Sequence, residues 1–138
     1  MKEHPCIMVV DDAQSMLKML SRALELEGYD VVAAADGRTA LALMEKYRPD
    51  LVILDVMMPG LDGFQVLGLI RQRSSVPVIM LTALGEGSIV RDALSLGADD
   101  CVRKPFRMRE ILAHIRANLS RAGSPVADIG YTENGATG

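Results

Sequence analysis

Two rhythms run along the chain. Five short apolar runs, Ile7 to Val10, Val31 to Ala34, Leu51 to Leu54, Val76 to Leu81 and a weak pair at Cys101-Val102, are nearly continuous rather than alternating. Runs of this length and composition predict strands buried on both faces. Between and after them come five stretches with helical spacing. They are marked by Leu17, Leu20 and Leu24; by Ala40, Leu43 or Met44, and Tyr47; by Val66, Leu67 and Ile70; by Val90, Ala93 and Leu94; and by Ile111, Ile115 and Leu119. Gly28 and Gly97 follow the first and fourth of these, where a left-handed residue ends a helix, and Pro49, Pro59, Pro77 and Pro105 fall in connections or at strand entrances. Strict alternation of strand and helix requires right-handed crossovers, hence a parallel sheet with helices on both faces.

After Ser120 the rhythm stops. Gly123-Ser124-Pro125 opens a stretch to Gly138 with four glycines and no apolar periodicity. The expected organisation is a folded domain over residues 1–121 and a flexible tail or linker over 122–138. The 138 residues are 49% hydrophobic, enough to fill the core of one domain without staples. Fifteen Lys and Arg against 18 Asp and Glu leave a net charge of −3, which argues against direct nucleic acid binding by this domain. Only Cys6 and Cys101 are present, which excludes a Cys-based zinc site and a Cys-x-x-Cys redox pair. If the strand order is 2-1-3-4-5, the first and fifth strands lie three spacings of roughly 4.8 Å apart, so these cysteines are too distant for a disulfide and read as inert core thiols. No apolar run approaches the roughly 18 residues of a membrane span, and the start resembles no signal peptide, so the expected compartment is the cytoplasm.

The informative polar residues sit at strand ends. Asp11 and Asp12 close the first strand, Asp55 the third, Thr82 the fourth, and Lys104 lies just past the fifth. Taking the strand order as 2-1-3-4-5, the chain reverses between strands one and three, where open parallel sheets bind their ligands. Three carboxylates in one crevice repel one another unless one is protonated or a cation is present. An all-oxygen site suits a hard divalent ion, and Mg²⁺ fits best because it takes few carboxylates and leaves positions for phosphate oxygens. Lys104 and Thr82 then offer a positive charge and a hydroxyl to a phosphoryl group. Asp55, the isolated acid, can attack phosphorus while Asp11 and Asp12 hold the metal. Blander readings stand beside these. Asp11-Asp12 alone would be a helix cap, and only the company of Asp55 reverses that. Asp55 directly after Leu51-Val52-Ile53-Leu54 needs a partner. Thr82 is the weakest member, and Lys104 draws its weight from its place before Pro105.

Val9-Val10-Asp11-Asp12, Leu54-Asp55-Val56-Met57-Met58-Pro59-Gly60 with Asp62-Gly63, Leu81-Thr82-Ala83, and Gly97-Ala98-Asp99-Asp100 running into Lys104-Pro105-Phe106 occur in this order. With these strings the chain resembles the receiver domain of two-component response regulators over residues 7 to about 121, in the style of the winged-helix transcription-factor branch. The resemblance implies a flavodoxin-like (βα)5 fold and phosphoryl transfer to Asp55 from a sensor histidine kinase or phosphotransfer protein. It further implies Mg²⁺ held by Asp12 and Asp55, by the backbone carbonyl of Met57, and by Asp11 through water. Thr82, the amide of Ala83 and Lys104 would grip the phosphoryl oxygens, and Lys104-Pro105 would be a cis peptide. A downstream effector domain or protein, no membrane contact and a phosphorylation-linked homodimer complete the expectation.

Two departures qualify it. Cys101 stands where the family usually places a switch aromatic. Asp92 and His114 occupy two positions that the branch gives to basic residues facing Asp99-Asp100 across a dimer. His4 and His114 lack ligand spacing, and the nine methionines read as core filler apart from Met57 and Met58. The same fold also hosts three rival functions. A nucleotide or flavin binder fails because Gly63-x4-Gly68 is followed by Leu69-Ile70, and Gly85-x-Gly87 lacks a third glycine. An aspartate-nucleophile phosphohydrolase lacks a general acid, since Met57 stands two residues after Asp55. Apolar Met57 and Leu84 orient no water, so a long-lived acyl phosphate and only slow autodephosphorylation are expected. A constitutive interaction module with impaired switching is kept open by Cys101.

Overall fold

A computed structural model describes residues 4–83 and 87–122, with the side chains of 87–89 left aside. In chain order the elements are β1 (Cys6–Val10), α1 (Gln14–Leu26), β2 (Asp30–Ala34), α2 (Gly37–Tyr47), β3 (Leu51–Asp55), α3 (Gly63–Arg71), β4 (Val78–Thr82), α4 (Gly87–Ser95), β5 (Asp100–Arg103) and α5 (Met108–Arg121). All strand pairs are parallel, as the strand and helix alternation requires, and the order is β2-β1-β3-β4-β5, the one taken for the sequence. The fourth strand starts two residues into the apolar run Val76 to Leu81: β4 begins at Val78 because Pro77 has no N–H for the ladder, and Pro77 joins only through its carbonyl, which accepts from Val52 N at 2.9 Å.

Successive strand residues point to opposite faces, which divides the core in two. Met8, Val10, Val52, Leu54, Val78 and Met80 face the helices α2, α3 and α4. Ile7, Val9, Leu51, Ile53, Ile79 and Leu81 face α1 and α5 through Leu17, Leu20, Leu24, Ile111, Ile115 and Leu119. Each such fully buried side chain contributes roughly 1.5–3 kcal/mol. Burial on both faces holds for the three central strands; the edge strands β2 and β5 are only partly covered. Tyr47 and Leu94 also depart from the expected apolar stripes, being 43% and 46% exposed, while Met58 lies in the core rather than at the crevice.

Helix ends follow local chemistry. Asp62 caps α3 by accepting from Gln65 N at 2.9 Å, and Gln65 Oε1 accepts from Asp62 N at 3.0 Å. Gly28 and Gly97 adopt φ of 97° and 111°, the left-handed conformation expected of them. The expected tail falls, from residue 123 onward, outside the described residues, as does Leu84. Among the described residues no helix is long and apolar enough to cross a membrane.

Candidate functional site

Register brings the predicted residues to one edge of the sheet. Val10 lies opposite Leu54, so Asp11 and Asp55 come next on neighbouring strands. Asp55 lies opposite Leu81, and Thr82 opposite Arg103, one residue before Lys104. Lys104 N donates to Thr82 O at 2.7 Å, which ties the residue after β5 to the end of β4, and the Lys104-Pro105 peptide is cis. These contacts aim the lysine back across the sheet. Its Nζ lies 3.0 Å from Asp55 Oδ1 and 3.5 Å from Asp11 Oδ2.

The acids form one cluster. Asp11, Asp12 and Asp55 each offer a carboxylate oxygen, all within 4.8 Å of one another; Asp11 and Asp55 are buried and Asp12 faces solvent. Three carboxylates face one ammonium, so the cluster has room for a further cation, and an all-oxygen donor set with one solvent-facing member suits a hard divalent ion. Burial pushes the Asp55 carboxyl above its ordinary value and Asp11 and Asp12 add to this, against the opposing pull of Lys104. Desolvation alone would lower the Lys104 ammonium, but Asp55 and Asp11 outweigh it and hold its pKa up. The lysine is therefore a fixed positive charge at neutral pH.

The capping alternative for Asp11-Asp12 does not describe their place. Ala13 occupies the N-cap of α1 without a side-chain cap bond, and Asp11 Oδ1 instead accepts from Ala13 N at 2.9 Å, which orients its other oxygen toward Lys104. Thr82 is fully buried at the end of β4, Ala83 is exposed beside it, and Met57 is 60% exposed just past β3.

Three features were not visible in the sequence reading. A Cβ on Gly63 would lie 2.2 Å from Asp55 O and 2.7 Å from Val56 Cα, so the start of α3 rests directly on the backbone of the acid that ends β3. Arg71 clamps the α4–β5 turn, donating to Gly97 O at 2.8 Å and to Asp99 Oδ2 at 2.7 Å. His114, to which spacing assigned nothing, bonds Asp100 Oδ2 through Nδ1, and Asn118 Nδ2 reaches the same oxygen at 3.3 Å. The glycine was legible only as part of a motif; the other two join distant residues and leave no local signal. Cys101 is partly rather than fully buried, and burial raises its thiol pKa, which keeps it protonated and unreactive.

Residues 7–116 match the response regulator receiver domain family. The chain belongs to that family. It is 49% identical over 119 residues to a probable transcriptional regulator, ycf27, of Cyanophora paradoxa, covering 86% of this chain and 50% of that protein. It is 49% identical over 128 residues to the transcriptional regulatory protein CpxR homolog of Haemophilus influenzae, covering 92% and 56%. The receiver thus spans about half the length of the curated relatives it matches. Among solved structures, the Francisella response regulator 1452 receiver domain superposes with a TM-score of 0.83 at 32% identity, over 86% of this chain and 99% of that one. The chemotaxis protein CheY4 of Vibrio cholerae gives 0.80 at 34%, over 83% and 98%. Receiver domains act in two-component signalling, and both curated relatives carry the names of transcriptional regulators.

Proposed function

We propose that this receiver is a phosphorylation-dependent switch in which Asp55 takes a phosphoryl group from the phosphohistidine of a sensor kinase or phosphotransfer protein. The observation that carries this reading is the acid cluster of Asp11, Asp12 and Asp55 with the Lys104 ammonium 3.0 Å from Asp55. An Asp55 oxygen forms the new bond to phosphorus as the bond to the histidine nitrogen breaks, so the electron pair leaves with the imidazole. Lys104, already charged and aimed at Asp55, supplies positive charge for the phosphoryl oxygens, with Thr82 and the amide of Ala83 at the neighbouring strand end. Asp11, Asp12 and Asp55, with the backbone carbonyl of Met57, would hold Mg²⁺. When bound, that ion screens the acids from the incoming anion.

The product carries roughly −1.5 to −2 charge at neutral pH, which draws Lys104 and Thr82 inward and shifts the loops after β3 and β4. The face of α4, β5 and α5 is then what a partner reads. The relatives' names point to a transcription-regulating output; the switch itself is placed in the cytoplasm, and its net charge of −3 argues against nucleic acid contact by the receiver. A phosphorylation-linked homodimer through that face has to form although Asp99 and Asp100 already hold Arg71 and His114 within the chain. Catalysis is limited to the domain's own phosphorylation and slow hydrolysis, because Met57 places no acid or water-binding group beside Asp55.

Intact mass before and after a small phosphoryl donor with Mg²⁺ tests the assignment. Wild type gains one phosphoryl group and Asp55→Asn gains none; equal gain by both would remove Asp55 from its role. Equal partner binding with and without the donor would favour the constitutive module.

A further inference from the structure

At the opposite edge of the sheet from the acid cluster, the carboxyl ends of α2 and α3 frame a cavity of about 340 Å³. This is within the range of small-molecule sites. Its floor is apolar: Ile70 and Met44 are buried core residues, Pro49 is buried, and Leu41 is partly covered. Its rim is basic. Arg73 pairs with Glu45 at 3.1 Å, in an exposed bridge, while the guanidinium of Arg48 has no hydrogen bond or ion pair among the described residues.

Arg48 is also where the backbone departs from what an L residue prefers. It ends α2 in the left-handed region, with φ 46° and ψ 65°, and is the one non-glycine residue with positive φ among those described. The turn itself has a local cause: the residue before a proline is disfavoured in the right-handed helical region, so the chain cannot continue α2 into Pro49. Glycine would make this turn without strain. The arginine therefore keeps a strained backbone at the wall of a cavity with an apolar floor, and its cation is unpaired among the described residues. Residual strain at such a position points to function rather than to packing. Its alternative role, a cation offsetting the partial negative charge at a helix carboxyl end, needs no cavity and no apolar floor.

We infer that this cavity binds a small organic carboxylate with a short apolar body, its carboxylate on Arg48 and its hydrocarbon against Ile70, Met44 and Leu41. The Met44 thioether and the open rim can adapt to branched or straight bodies. The carboxylate is preferred to a bare inorganic anion because a bare anion would leave the apolar floor uncovered.

Hexanoate is the probe, with hexanamide and inorganic phosphate as comparators, read by NMR on the whole chain. Hexanoate should shift the Ile70 methyl, the Ser74 amide and the Arg48 side chain together. Hexanamide, lacking the charge, should bind at least tenfold more weakly, and phosphate should leave Ile70 unmoved. Arg48→Gly should melt at a higher temperature than wild type because the strain is gone, yet bind hexanoate at least tenfold more weakly. Arg48→Gln, which keeps a side chain at the turn, should show the same loss. A purely structural arginine would not separate stability from binding in this way. No shift at about 10 mM hexanoate, ten times a millimolar dissociation constant, overturns the inference. So does undiminished binding by both variants.

Discussion

Replacing Lys104 with methionine removes the one ammonium among the three acids and keeps most of the side chain's length. The two contacts it would break lie at 3.0 and 3.5 Å. At an effective dielectric of about 20, each is worth roughly 5 kcal/mol before desolvation is counted. Desolvation cancels much of this, and removing one member of a buried pair costs about 3–5 kcal/mol because the remaining charge stays buried. Lys104 retains 22% side-chain exposure. Asp55, whose carboxyl burial already makes easier to protonate, can also shed its charge. The lower end therefore applies, about 3 kcal/mol at neutral pH. With a total stability of roughly 5–15 kcal/mol, the variant stays folded.

Urea denaturation reads the change directly. With a slope of about 1–3 kcal/mol/M, the Lys104→Met midpoint should fall by roughly 1–3 M while the slope is unchanged. In an Asp55→Asn background the same substitution should cost at least about 1 kcal/mol less, since the two sites share the interaction. Added Mg²⁺ should raise the Lys104→Met midpoint more than that of wild type, because an acid cluster without its ammonium has more uncompensated negative charge. A variant that unfolds at the wild-type midpoint, or a magnesium shift equal in both proteins, would refute the reasoning that these groups share one electrostatic field.

Gly63→Ala should destabilise by at least about 1–3 kcal/mol, the ordinary range for overpacking, because a Cβ 2.2 Å from Asp55 O must push α3 off the end of β3; thermal unfolding checks this, and phosphoryl uptake should fall with it. Asp62→Ala removes the side-chain half of the α3 capping box, the Oδ1 that accepts from Gln65 N, while the residue 62 N–H can still donate to Gln65 Oε1; it should cost about 0.5–2 kcal/mol by urea midpoint, leaving phosphoryl uptake intact. Without a divalent ion, stability should fall as pH rises. Between the ordinary carboxyl value of 3.8 and the higher folded value of Asp55, the folded chain holds more protons than the unfolded one, and the deficit persists above that window. Melting temperatures across pH, with and without Mg²⁺ and in Asp55→Asn, check the sign: the fall should shrink in both the ion and the variant.

Why the acid site was legible while other features were not follows from how the fold transmits information. Strand ends are adjacent by register, so residues that finish Ile7 to Val10 and Leu51 to Leu54 meet once the order β2-β1-β3-β4-β5 is known, and Asp11 and Asp55 needed no further knowledge to be paired. Apolar runs reported burial less faithfully: Val31 to Ala34 looks like Leu51 to Leu54 in composition, but only position in the sheet makes the first an edge and the second a centre. Arg71 reaching Gly97 and Asp99, and His114 reaching Asp100, depend on where helices come to rest on the sheet, and neither spacing nor propensity encodes that. The same limit explains Arg48. Lys46 and Arg48 flank Tyr47 before Pro49 with no local signal to tell them apart, and only the backbone, with φ 46° where glycine belongs, separates that arginine from its neighbours. The two poles of the domain thus differ in kind: a crowded set of charges whose geometry the strands dictate, and a lone cation whose placement the fold itself does not require.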